Sequence, residues 1–137
     1  MLARREHSRF ELTNKLERIG GDLDELPGLL DEFEAKNWLS DRRFAQSYVA
    51  DHRAREGAIK LAHALRQRGV AESLIGEALE SLNERGDGEL KRAREVWRKK
   101  YDVEPGTAQE RARQMRFLLG RGFSMETIRH VFRQDDE

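Results

Sequence analysis

The stretch Leu61-Ala62-His63-Ala64-Leu65-Arg66-Gln67-Arg68-Gly69-Val70 reads as an apolar helix face, a basic last turn, a glycine and a new start. The same phrase stands at Leu12-Thr13-Asn14-Lys15-Leu16-Glu17-Arg18-Ile19-Gly20 and at Met115-Arg116-Phe117-Leu118-Leu119-Gly120-Arg121-Gly122-Phe123. Each time a leucine (Leu16, Leu65, Leu118) precedes the glycine by four residues, and the glycines lie 49 and 53 positions apart. That spacing is typical of small helical repeats, and repeats present long surfaces to large partners. The expected fold is all-α: an elongated array of tandem three-helix repeats, divided by the punctuation into 1–56, 57–103 and 104–137. Gly69 is expected to end its helix in the left-handed conformation, with Val70 packing into the turn.

The composition agrees. Of 137 residues 37% are hydrophobic and 38% charged, too much charge for one round core and suited to modules that each bury a narrow stripe. Few β-branched residues and two prolines argue against sheet. No run approaches the roughly 18 apolar residues of a membrane span, and no signal peptide precedes the charged start. The absence of cysteine excludes disulfides and thiolate metal sites. A cytoplasmic monomer without membrane contact is expected. Net charge is zero, but residues 1–35 carry 5 basic and 9 acidic groups, residues 36–121 carry 19 and 13, and residues 122–137 carry 2 and 4. A basic middle between acidic ends implies a local electrostatic footprint.

Along the chain, Met1-Leu2-Ala3-Arg4-Arg5-Glu6-His7 reads as the last turns of a helix. Ser8 and Glu11 form a capping box for the next, which buries Leu12, Leu16 and Ile19 and stops at Gly20-Gly21. Asp22 caps a second helix with Leu26, Leu29, Leu30 and Phe33 inward and Pro27 in its first turn. Ser40-Asp41 caps a third, burying Phe44, Ala45, Tyr48 and Val49. Leu61 and Leu65 mark the next helix, and Leu74, Ile75, Ala78, Leu79 and Leu82 form the strongest apolar stripe. Gly86-Asp87-Gly88 is a loop, and Leu90, Ala93 and Trp97 line a basic helix ending near Tyr101. Glu104-Pro105-Gly106 is a linker. Ala112, Met115 and Leu119 line one helix and Met125, Ile128 and Phe132 the last, before the frayed tail Asp135-Asp136-Glu137.

Catalytic signals are poor. His7, His52, His63 and His130 show no metal-ligand spacing, and Gly86-Asp87-Gly88 lacks the Lys-Ser/Thr of a phosphate loop. Asp22, Asp24 and Glu25 cluster at a helix start, where carboxylates favour the macrodipole. No metal, cofactor or catalytic residue is expected. The run Leu65…Gly69-Val70…Ile75 approximates a helix-turn-helix, but Leu65 is bulky where that motif crosses its helices closely. Its would-be recognition helix offers Ala71, Glu72, Ser73, Gly76 and Glu77, which make no base-reading pair.

The basic clusters are the candidate binding residues. Lys91, Arg94 and Arg98 stand at i, i+3, i+7, with Arg92 and Lys99 flanking and Lys100 extending that face. Arg113 and Arg116 share another. Arg66, Arg68 and Arg121 lie in helix last turns, where cations also stabilise the dipole by under about 1 kcal/mol each. Such faces suit DNA phosphates or an acidic protein groove. Tyr101 and Trp97 could stack on bases, although Trp97 suits the core better.

Four blocks resemble the RecX family of bacterial recombination regulators. They are Leu2-Ala3-Arg4-Arg5-Glu6-His7-Ser8 with Glu11-Leu12 and Lys15-Leu16; Leu39-Ser40-Asp41-Arg42-Arg43-Phe44-Ala45; Leu65-Arg66-Gln67-Arg68-Gly69-Val70; and Arg116-Phe117-Leu118-Leu119-Gly120-Arg121-Gly122-Phe123. They stand in family order across nearly the whole chain, which departs from the family pattern in lacking a helix before the first block. The resemblance implies three-helix repeats in a curved rod. It also implies a regulator of DNA repair and the SOS response that lodges in the groove of RecA recombinase filaments on DNA. Such a regulator limits filament growth and suppresses strand exchange, ATP hydrolysis and coprotease action. The implied partner is the RecA filament, with single- or double-stranded DNA as a further one. The competing reading is a sequence-independent DNA-binding protein that acts by covering nucleic acid.

Overall fold

A computed structural model describes residues 5–84 and 88–132. Among the described residues the structure is helical, with eight helices and no strand. They are α1 (Arg9–Arg18), α2 (Leu26–Ala35), α3 (Asp41–His52), α4 (Ala58–Gln67), α5 (Glu72–Glu84), α6 (Glu89–Lys100), α7 (Ala108–Gly120) and α8 (Met125–Val131).

The repeated phrase is a repeated helix end. Gly20, Gly69 and Gly122 have φ of 86°, 78° and 93°, the left-handed region that a Cβ disfavours. The next residue's N–H reaches back to the carbonyl of the leucine five positions earlier: Gly21 to Leu16 at 3.0 Å, Val70 to Leu65 at 3.1 Å, Phe123 to Leu118 at 3.2 Å. These are Schellman ends, closed by a carbonyl bond reaching back five residues, with an apolar residue after the glycine at the second and third. Val70 and Phe123 are buried accordingly. The helix starts are equally local. Ser8 forms the capping box with Glu11, Ser40 accepts from the Arg43 N–H, Thr107 from Glu110 and Ser124 from Thr127.

Three separate cores follow. Leu12, Leu30 and Leu39 join α1 to α2. Phe44, Val49, Leu61, Leu65, Ile75 and Leu82 unite α3, α4 and α5. Ala93, Val96, Trp97, Leu118, Phe123 and Ile128 unite α6, α7 and α8. Packing therefore groups α3–α5 and α6–α8, with α1 and α2 before them, one helix out of phase with the division at 56/57 and 103/104. The left-handed glycine closes the penultimate helix of a module and so does not mark the boundary between modules.

Several side chains depart from the expected pattern. Asp22 does not cap α2: its carboxylate accepts from the Asp24 N–H and its carbonyl from Glu25 and Leu26, making a separate turn before the helix. Ile19 and Leu29 are exposed, as are Leu119 and Met125. On α7 it is Gln114 and Leu118 that are buried, and Gln114 earns its place by accepting from the Trp97 indole at 2.7 Å. Residues 5–8 are not helical, and residues 1–4, the 85–87 part of the glycine loop and the acidic tail lie outside the described residues.

The modules are joined by hydrogen bonds at helix N-termini, where backbone N–H groups lack intrahelical partners. Gly57 supplies α4 with no capping side chain. Its first amides are instead satisfied by the following module: Gly57 N–H by the Arg121 carbonyl at 2.7 Å, Ala58 N–H by the Glu89 carboxylate at 3.1 Å, Ile59 N–H by the Gly122 carbonyl at 3.0 Å. The earlier joint repeats the scheme. Asp41, the first residue of α3, accepts from the Arg9 N–H at 2.8 Å, and Ser8 Oγ donates to the Arg68 carbonyl at 2.7 Å. Both joints bring a left-handed glycine against the neighbouring module. A Cβ on Gly69 would stand 2.4 Å from Phe10 Cβ, and one on Gly122 would stand 2.3 Å from Lys60 Cβ, whereas one on Gly20 would meet nothing within 4 Å.

Alanine substitutions should separate conformation from contact. Gly20→Ala should cost about 1 kcal/mol through its backbone alone. Gly69→Ala and Gly122→Ala should cost roughly 1–3 kcal/mol more by overpacking a joint. Urea denaturation of the three variants checks the order, and equal losses would remove the joints from the explanation. His7 is buried, with Nδ1 3.1 Å from the Arg5 carbonyl. Burial, then the nearby Arg5 charge, lowers its pKa from 6.5. Its neutral form therefore favours the folded state above pH 6.5, and that contribution is lost as pH falls below it. The drop in urea midpoint between pH 7.5 and pH 5 should be smaller in His7→Gln.

Candidate partner-binding surface

The sequence treats the cations of α6 as one face; the structure sorts them into three environments. At about 100° per residue, the buried side is defined by Arg92, Ala93, Val96 and Trp97. Arg92 is only 5% exposed. It donates to the Glu56 carbonyl at 2.7 Å and the Arg53 carbonyl at 3.2 Å, and it pairs with Glu89. Arg92 thus satisfies carbonyls between α3 and α4 and braces the carboxylate that caps α4. Its predicted place among the contact residues is corrected: it is a strut of the joint, because a guanidinium fork matches several acceptors at once.

Lys91 and Arg98 lie on the opposite, exposed face, with Glu95 exposed between them. Arg94 flanks them half-buried, its Nε shielded and without a hydrogen-bond partner. Lys99 and Lys100 instead turn toward a cleft of about 200 Å³ where α6 and α7 meet the end of α3. Arg121 joins them there from the Schellman turn of α7, as does Arg55, which the sequence reading passed over. Ala54, Val96 and Phe117 form the apolar part of the lining. Lys100 Nζ sits 5.9 Å and Arg121 Cζ 5.2 Å from the centre of the Phe117 ring, within cation–π range. The Arg121 guanidinium also donates to the Arg55 carbonyl at 3.3 Å. Among the described residues no carboxylate lines this cleft.

The other candidates lie elsewhere. Arg113 lines a separate hollow with Glu104 and Glu110, and Arg116 is exposed on α7. Arg66 is engaged by Glu72, which raises the arginine's pKa and lowers the glutamate's through their hydrogen bond. Arg68 donates to the Ala64 carbonyl at 2.9 Å and lies over the Tyr48 ring at 4.9 Å, beside the first joint. Trp97 is buried with its indole satisfied, and Tyr101 packs edge-on against Phe117, so neither ring presents a free stacking platform. Among the described residues no group of side chains could hold a metal ion, and no helix is long and apolar enough to cross a membrane.

Comparison with known proteins places this architecture. Models of the second and third three-helix domains of RecX match residues 40–79 and 87–132, which are the two complete modules defined by packing. The regulatory protein RecX of Chromobacterium violaceum is 44% identical over 131 residues, covering 96% of this chain and 83% of that protein. The chain belongs to the RecX family. The regulatory protein RecX of Leptothrix cholodnii is 40% identical over 98% of this chain and 84% of its own length. The crystal structure of RecX from Lactobacillus salivarius superposes with a TM-score of 0.81 over 98% of this chain and 89% of its own, at 17% identity. A second RecX crystal structure gives 0.82 over 99% and 68%, at 21% identity. The three-helix modules are thus the RecX fold, and this is a family of regulatory proteins rather than enzymes.

The joint and the open surface should respond differently to mutation. Arg92→Met should destabilise the protein by about 3 kcal/mol, because it strands Glu89 and two carbonyls. Lys91→Met should change stability by under about 0.5 kcal/mol. Thermal unfolding of both variants measures the difference, and equal effects would contradict the strut role.

Proposed function

We propose that this RecX-family protein binds filaments of the RecA recombinase and inhibits them without catalysis, limiting filament growth, ATP hydrolysis, strand exchange and coprotease action. The observation that carries the reading is the chain of modules locked at each joint by hydrogen bonds to backbone groups, from side chains at the first joint and from both backbone and side chain at the second, in a family of regulatory proteins. A rod of fixed geometry can touch more than one protomer of a helical polymer. Contacts that are individually weak then add, because the second forms within an existing complex. The exposed cations Lys91 and Arg98 and the half-buried Arg94 beside them, with Arg113 and Arg116 on α7, supply complementarity to an acidic groove and faster association.

The test is steady-state ATPase of the recombinase on single-stranded DNA against regulator concentration. Inhibition should saturate well below one copy per protomer if filament ends are capped, and near stoichiometry if the groove is lined. It should persist when single-stranded DNA is added in excess. Full rescue by DNA, with no direct protein contact by pull-down, would favour the DNA-covering reading instead. Reversing Lys91, Arg94 and Arg98 together to glutamate should weaken filament binding at least ten-fold at near-physiological salt. The pair Lys91→Glu/Arg98→Glu, both at exposed positions, should also weaken binding while the melting temperature stays within a few degrees, since exposed charges contribute little to stability.

A further inference from the structure

The first module is built unlike the other two. With the left-handed glycines Gly20, Gly69 and Gly122 in register, α1 and α2 correspond to α4 and α5 and to α7 and α8. In the second and third modules another helix covers that pair: α3 packs on α5, and α6 packs on α8. Among the described residues no helix stands in that place on α1 and α2. The difference is visible position by position. Ala78 and Val131 are 1% and 4% exposed, whereas Leu29, in the same register, is 38% exposed. Leu65 and Leu118 are fully buried, but the corresponding Leu16 is only half-buried. Phe33 is half-buried too, and the exposed Trp38 ring extends it, 5.6 Å away between ring centres.

Shape and charge together define what fits this face. In the complete modules its occupant is a helix of 12 residues, α3 or α6. That helix turns Phe44, Ala45 and Val49, or Ala93, Val96 and Trp97, onto the pair beneath it. The edge of the open face is acidic. Glu25 and Glu32 stand four residues before and three after Leu29, on its side of the helix, and both are exposed. The ten residues of α2 hold three carboxylates and no cation. A helix with lysine or arginine beside its apolar stripe is matched here, and one with an acidic edge is repelled. Residues 88–101, spanning α6, are this chain's own example of that composition, with six basic and two acidic groups. A second copy can present α3 or α6 only by opening a folded module, so the occupant comes from another protein.

We propose that the open face of the first module, formed by Leu16, Leu29, Phe33 and Trp38 and edged by Glu25 and Glu32, is a docking groove for a basic amphipathic helix of a protein partner. The helix lays its apolar stripe into the groove and completes the module as α3 and α6 complete theirs. The groove shares no residue with the cationic faces of α6 and α7, so either reading can fail without the other.

The experiment is fluorescence anisotropy of a labelled synthetic peptide with the sequence of residues 88–101, titrated with the full chain. The peptide should bind. Leu29→Glu should weaken it at least about ten-fold, with the melting temperature within a few degrees because the position is exposed. Trp38→Ala should repeat the loss, and Leu119→Glu, at an exposed leucine of the third module, should leave binding unchanged. Glu25→Gln/Glu32→Gln should weaken it roughly three-fold at low salt and less at high salt. A peptide carrying Leu90→Ser/Val96→Ser/Trp97→Ser should not bind; binding equal to the parent would mean that charge alone holds it, and would overturn the groove. Absence of binding overturns it too, as does binding that survives Leu29→Glu because the peptide has entered its own third module. Sedimentation velocity of the chain alone covers the remaining occupant. A dimer that Leu29→Glu dissociates would make this face an interface between copies and overturn the partner helix.

Discussion

The unsatisfied N–H groups at the start of α4 are the constraint around which the two complete modules are organised. A helix beginning with Gly57 has no side chain to cap itself, and three unpaired amides would weaken it. The following module supplies all three acceptors, two from the turn ending α7 and one from Glu89 at the start of α6. Arg92 then holds Glu89 in position while satisfying the carbonyls of Arg53 and Glu56. The same local need is met at the first joint by Asp41 on the Arg9 amide. Each module thus completes a helix in its neighbour, and nearest-neighbour coupling of this kind makes a repeat array behave as a unit.

This arrangement explains why counting cations overstates the binding surface. Burying an arginine is tolerable when its fork meets several acceptors and a carboxylate, and Arg92 meets both conditions. Arg66 is engaged by an ion pair with Glu72, and Arg68 by a carbonyl and a tyrosine ring. The cations that remain divide between the outer face of α6, the exposed side of α7 and the inter-module cleft. Their separation follows from helical geometry: residues 98, 99 and 100 are consecutive, and consecutive residues on a helix point about 100° apart.

The parts of the fold set by local chemistry were legible in the sequence. Ser8 with Glu11, Ser40, and the three leucine-to-glycine phrases each act within six residues, so their meaning travels with the sequence. What was not legible depends on partners distant in the chain. Nothing near Gly57 announces that Glu89 will cap its helix, and nothing near Arg92 marks the two carbonyls it reaches 39 and 36 residues away. The phase of the modules was lost for the same reason, since glycine punctuates helix ends whether or not a module ends there. Spacing alone points Leu119 inward, whereas α7 turns Leu118 and Gln114 to the core and leaves Leu119 43% exposed. A polar Gln114 beneath Trp97 looks like surface until the indole N–H is seen to need an acceptor. Arg55 escaped because it sits after a helix end, outside any charge run.

Rigidity and recognition are linked at the second joint. On the proposed readings, the regulator meets a helical polymer of protein on nucleic acid, where the distance between successive contacts is fixed by the polymer. A flexible joint would force each binding event to order the modules anew, at a conformational cost that weakens the second contact. Hydrogen bonds at the α4 N-terminus meet that cost during folding. The cleft that Arg55 shares with Lys99 is built from both modules, so its shape depends on the docked arrangement. The residues that cap α4 therefore shape that cleft without lining it, and Glu89 is the most direct case: it fixes the helix that carries Lys99 and Lys100 against the module that carries Arg55.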